Sequence, residues 1–195
     1  MGTRHLIGVK KDNEFKVAQY GGWDGYPDGA GANVVSCIKD WDKDKFIDCL
    51  NKCEFINRDL YGMYINNKMD SPEYSALIEK YRDIHYTLSS STGANILYYI
   101  TDTDAEKIAL YDSSSFIKDS LFCEFAYIIN LDTNKLEYYL GFQKQPFDDN
   151  EYGTETNING YYPCKKEAEF DLDNITEDAV DIMNNIWKFK NEQEG

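Results

Sequence analysis

F-C-E-F-A-Y-I-I-N-L at 122–131 and K-L-E-Y-Y-L-G-F at 135–142 flank Asp132-Thr133-Asn134. Two runs rich in aromatic and β-branched residues around a short polar turn read as an antiparallel hairpin. T-R-H-L-I-G-V-K at 3–10 and F-K-V-A-Q-Y at 15–20, around Lys11 to Glu14, read as a second one. Lys107 to Tyr111 is a short strand, and Tyr161-Tyr162-Pro163 leads into another that ends at Phe170. Helical spacing appears at Val34, Val35, Ile38 and Trp41, then at Phe46, Leu50 and Cys53. Residues 55–71 read as a polar connection. Ser71-Pro72-Glu73 opens a helix whose face is Tyr74, Leu77, Ile78, Tyr81, His85 and Leu88. Ala94 to Ile100 reads as a short helix after Thr92-Gly93, although Ile96 to Ile100 alone also fits a strand. Thr176 caps a last helix with Ala179, Ile182, Met183, Ile186 and Phe189 inward. The expectation is an α+β fold in one domain over 1–195: a mainly antiparallel sheet of five or six strands with helices packed on it. The long polar stretch 142–160 reads as a lid or mobile loop.

Composition bounds the function classes. The chain of 195 residues carries 35 Asp+Glu against 20 Lys+Arg, a net charge of −15. Such a field repels nucleic acid and anionic membrane surfaces and attracts basic protein surfaces. The five cysteines are odd in number and irregularly spaced, with no C-x-x-C. This fits reduced thiols in a cytoplasmic protein and not a zinc site. No apolar run reaches the ~18 residues that span a bilayer. The acidic runs from Asp40 and from Asp148 miss the glycine or the bidentate glutamate of a calcium loop. No metal and no cofactor is expected.

The candidate site begins at A-Q-Y-G-G-W-D-G-Y-P-D-G-A-G, residues 18–31, which holds 5 of the 13 glycines. Tyr20, Trp23, Tyr26, Asp24 and Asp28 lie among them, as one wall of a ligand pocket or as a tight turn packed on the core. The aspartates disfavour a phosphate and suit an amine, hydroxyl or guanidinium, with Trp23 and Tyr26 stacking on it. Glu124 stands in an otherwise apolar strand: it faces solvent at a sheet edge, or a pocket with a partner such as Arg4. The N-terminal strand offers Thr3, a nucleophile only if processing removes Gly2, and Arg4, which would orient an anionic group.

G-T-R-H-L-I-G-V at 2–9, K-V-A-Q-Y at 16–20, W-D-G-Y-P at 23–27, T-G-A-N-I-L at 92–97 and D-S-L-F-C-E-F-A-Y-I-I-N-L-D at 119–132 occur in order. With Y-Y-P and D-L-D-N between 161 and 174, these segments resemble a family of uncharacterised bacterial and phage-carried proteins. Some members begin Met-Cys-Thr-Arg, where this chain has Gly2 in place of the cysteine. The start of the chain is also loosely similar to N-terminal-nucleophile (Ntn) hydrolases, which implies an amide hydrolase or a binding version of one. Two functions follow as expectations. One is a small-molecule site built from Thr3, Arg4, Tyr20, Trp23, Asp24, Tyr26, Asp28 and Glu124. The other is an acidic phage-type inhibitor whose carboxylates at 40–48, 148–155 and 167–181 occupy a partner's basic groove.

Overall fold

The computed structural model describes residues 2–66 and 70–194. In chain order its elements are β1 (His5–Lys11), β2 (Glu14–Gly21), α1 (Ala32–Asp40), α2 (Lys43–Leu50), β3 (Cys53–Phe55), α3 (Arg58–Ile65), α4 (Pro72–Lys80), α5 (Ile84–Thr87), α6 (Asn95–Asp102), β4 (Ile108–Leu110), β5 (Phe125–Asn130), β6 (Lys135–Leu140), β7 (Lys165–Asp171) and α7 (Asp178–Glu194). A single π-helical turn, Pro27–Gly31, leads into α1, and a 3₁₀ turn, Ser114–Lys118, precedes β5.

Both hairpins form. β1 and β2 meet at Asp12 and Asn13, left-handed at φ 58° and 60°, a conformation that Asn and Asp tolerate and whose twist matches the strands. β5 and β6 are antiparallel, and β7 adds antiparallel to β6. The two hairpins are joined by β1 lying parallel to β5, giving the order β2-β1-β5-β6-β7. The sheet is therefore mixed, with one parallel pair at its centre, in an α+β fold. β5 is buried along its whole length, which accounts for its unbroken apolar run.

One face of the sheet, with Ile7, Val17, Tyr127, Ile129 and Tyr138, packs against α1, α2, α6 and α7. The other, with Leu6, Ala18, Ile128 and Tyr139, is covered by Ile117, Cys123 and Cys164. The 142–160 stretch holds no helix or strand and lies over this second face. There Tyr152 meets Tyr139 edge-on, and Lys10 pairs with Glu151 at 2.7 Å. A smaller cluster of Ile56, Leu77, Tyr81, Ile84 and Leu88 lies under the parallel pair β3·β4. Among the described residues no helix is long and apolar enough to cross a membrane.

Four local readings change, the first at Cys53, which opens β3 and does not continue the helical stripe of Phe46 and Leu50. Residues 55–71 contain α3, which buries no side chain completely and so shows no clean apolar period; its signal is Asn57, whose side chain accepts from the Leu60 amide at 2.9 Å. The helix expected through Leu88 stops at Lys80, because Tyr81 turns extended and Asp83 left-handed at φ 55°. Tyr81 Oη donates to Glu54 at 2.9 Å and Asp83 accepts from Tyr99 Oη at 3.0 Å, holding the break. Tyr81, Ile84 and Leu88 still reach one cluster, so the periodic pattern survives without a continuous helix. In α7, Ala179 and Met183 are buried and Trp187 packs beside them, whereas Ile182 and Phe189 face outward.

Gly141 closes β6 against the turn before β5, where a Cβ would run into the carbonyl oxygens of Ser120 and Cys123. Gly62, inside α3, faces open space. Denaturant titration should therefore show Gly141→Ala losing about 1–3 kcal/mol or more. Gly62→Ala should gain roughly 0.5–1 kcal/mol as a helix-interior glycine. No gain at Gly62 would argue against α3.

Candidate functional site

The parallel register pairs His5 with Phe125, so Arg4 and Glu124 stand side by side just before their strands. Antiparallel pairing sets Gly21 opposite His5, Leu140 opposite Phe125 and Lys165 opposite Leu140. The glycine loop, the N-terminal residues, Glu124 and the 141–143 segment thus converge at one end of the sheet.

A cavity of about 220 Å³ opens there, lined by Tyr26, Glu124, Phe125, Gln143, Trp187 and Lys190 among others. Its apolar wall is three rings in mutual contact: Tyr26 lies 5.6 Å from Phe125 and 5.1 Å from Trp187, centroid to centroid. Glu124 Oε1 accepts from the Arg4 backbone N–H at 3.1 Å and lies 3.7 Å from Arg4 Nε. Oε2 has no protein partner among the described residues. Across the cavity, Lys190 Nζ pairs with Glu167 at 3.1 Å. The central position of β5 answers the alternatives for Glu124: no sheet edge is available to it, and its side chain is 20% exposed, at the cavity.

The loop that delivers Tyr26 is held from below. Tyr127 Oη, on the central strand, donates to the Gly25 carbonyl at 2.9 Å, and the Gly25 amide donates to the Thr3 carbonyl at 3.1 Å. Burial pushes the Tyr127 phenol well above its ordinary pKa, with Tyr138, Asp28 and Asp24 adding to it, so it remains a donor. Asp24 adopts φ 55°, and its carbonyl accepts from the Ala30 amide at 2.8 Å, closing the loop on itself.

The structure divides the residues that sequence grouped together. Tyr26 and Glu124 share the cavity, and Arg4 braces Glu124 from behind, its guanidinium 4.7 Å above the Phe122 ring. Thr3 is buried at the strand end. Trp23 is 63% exposed and lies against Gly2, while Asp24 and Asp28 face solvent outside the cavity lining. Tyr20 points elsewhere, edge-on to Phe116 at 5.1 Å, and lines a different cleft. Trp187, Lys190 and Gln143 are the residues that sequence reasoning missed. Only Trp187 carried a signal, a large ring at helical spacing from Met183.

His5 sits beneath the loop, 2% exposed, enclosed by Gly21, Gly25 and Gly93, where any Cβ would meet its ring. Among the described residues neither ring nitrogen has a hydrogen-bond partner. Burial pushes its pKa down to about 4, opposed by the nearby backbone of Thr3. The folded chain thus holds a neutral imidazole, whereas the unfolded chain takes up the proton at the ordinary 6.5. The unfolded state binds more protons between these values, so this stability is full above pH 6.5 and is lost as pH falls toward 4. The loss should be about 3 kcal/mol. Urea titrations across that window should show His5→Gln with a flatter pH slope than the parent; equal slopes would remove His5 as the cause. Comparison of the chain with protein-family models, with curated proteins and with solved structures found no match.

Proposed function

We propose that this protein binds a small molecule bearing an amine or similar hydrogen-bond donor on a flat apolar body, in the cavity between Tyr26, Glu124 and Trp187. The observation that carries this reading is Glu124: one carboxylate oxygen is engaged by Arg4, while the other is left without a partner beside three aromatic rings. A half-buried carboxylate that opens onto a cavity takes donors there, and a cation or polarised N–H against Tyr26 and Trp187 supplies one. Binding is favoured over amide hydrolysis because Thr3 is buried at the strand end and does not line the cavity. The acidic-inhibitor reading draws less support. Glu167, Glu169, Asp171, Asp173 and Glu177 each already face a lysine of the same chain.

Tryptamine and phenethylamine serve as probes, with indole-3-acetate as the anionic control. The amines should raise the melting temperature in a dose-dependent way and the anion should not. Glu124→Gln should weaken amine binding by about tenfold or more, the worth of a hydrogen bond to a charged group. Unchanged amine affinity in Glu124→Gln, or preference for the anion, would overturn the proposal.

A further inference from the structure

The second cleft at this end of the fold lies beyond the edge strand β2 and differs in chemistry from the first. Its volume is about 390 Å³, within the roughly 300–1,000 Å³ range of small-molecule sites. Tyr61 and Tyr111 stack face to face at 3.8 Å and 16°, and Tyr64 lies 6.2 Å from Tyr61 at 27°. Tyr20 closes one side, and Ser89, Ser90, Ser113 and Thr87 bring hydroxyls to the lining. None of its lining residues among the described ones is charged, on a chain with a net charge of −15.

The walls are fixed to the sheet edge. The Gly22 amide donates to the Ser90 carbonyl at 2.8 Å and the Ser113 amide to the Ala18 carbonyl at 3.1 Å. The amide group of Gln19 donates to the Ser89 carbonyl at 3.0 Å, which turns its own oxygen free as an acceptor. Tyr64 Oη is used on the His85 carbonyl at 3.3 Å. The hydroxyls of Tyr20, Tyr61, Tyr111 and Ser113 have no protein partner among the described residues. Burial and the neighbouring Tyr111, Tyr64 and Tyr20 push the Tyr61 phenol upward, so it stays protonated and able to donate.

We infer that this cleft is a binding site for a neutral saccharide. A pyranose ring presents an apolar C–H face, which lies against the tyrosine rings of the lining, and a rim of hydroxyls that both donate and accept. Tyrosine and serine hydroxyls and a glutamine oxygen match that rim, since each hydroxyl also works in both directions. Among the described lining residues a phosphate or uronate would find no cation, and an amine no carboxylate. A flat aromatic ligand would leave the polar side of the cleft unpaired. The inference is independent of the amine cavity, which shares none of these lining residues.

The test is a titration of the ¹⁵N-labelled protein with glucose, galactose, N-acetylglucosamine and maltose, with glucuronate and indole as controls. At least one neutral sugar should shift the amides of Tyr20, Ser90 and Ser113 saturably, with a dissociation constant on the order of 1–10 mM or tighter. The amides of 140–143 should stay in place, which separates this site from the amine cavity. Tyr61→Ala should weaken binding about tenfold. Tyr111→Phe keeps the stacked ring, should retain the parent circular dichroism, and should still weaken binding by about threefold or more. The inference is overturned if no neutral sugar produces these shifts, if indole or glucuronate produces them instead, or if Tyr111→Phe binds sugar as the parent does.

Discussion

The parallel pairing of β1 with β5 is the constraint on which the molecule depends. Each hairpin is a local product of its own sequence, but a lone hairpin is marginal in water and gains stability only in a larger sheet. Parallel strands need a long crossover, and here everything from β2 to the 3₁₀ turn serves as that connection. The pairing buries β5 on both faces and aligns the strand ends, so Arg4 stands beside Glu124 and the glycine loop beside both. A slip of one residue would exchange the two faces of β1. His5, Ile7 and Val9 would leave the helix side, and the arrangement at the strand ends would be lost.

What the sequence disclosed follows from the range of the physics involved. Turn chemistry and capping act over a few residues, so the hairpins at Asp12-Asn13 and Asp132-Thr133-Asn134 and the start of α4 at Ser71 were readable. The partner of a fully buried strand is not written in the strand. Both faces of β5 are apolar, and period two says nothing about its neighbours. The break after α4 was hidden for a related reason. Tyr81, Ile84 and Leu88 keep their inward direction across a left-handed Asp83, so burial reproduces helical spacing without a continuous helix. In α7 the apolar residues outnumber the positions facing the core, and spacing alone does not say which of Ile182 and Met183 goes inside.

The site was half readable on the same terms. Of the residues picked out in the glycine loop and the apolar strand, Tyr26 and Glu124 line one cavity. Their grouping was a matter of tertiary geometry. Tyr20 is still in the edge strand, so its ring turns outward toward Tyr61 and Tyr111. Tyr26 lies beyond the reversal at Asp24 and turns to Trp187, which is 161 residues away in the chain. Rings only six positions apart in the chain thus belong to two unlike cavities.

The glycine density itself has an internal cause. Gly21 and Gly25 leave room for the His5 imidazole, Gly29 for the Asp24 side chain and Gly31 for the Tyr127 ring. Of the five, Gly22 alone has only ordinary van der Waals neighbours at a built Cβ position. The loop is therefore glycine-rich because two large side chains of the central strands, His5 and Tyr127, occupy the space beneath it, and not because a ligand approaches its backbone. Two rings of this stretch line the two cavities, Tyr26 on one side and Tyr20 on the other. The buried imidazole between them fills space without a hydrogen-bond partner among the described residues, which ties the shape of the loop to the neutrality of one side chain.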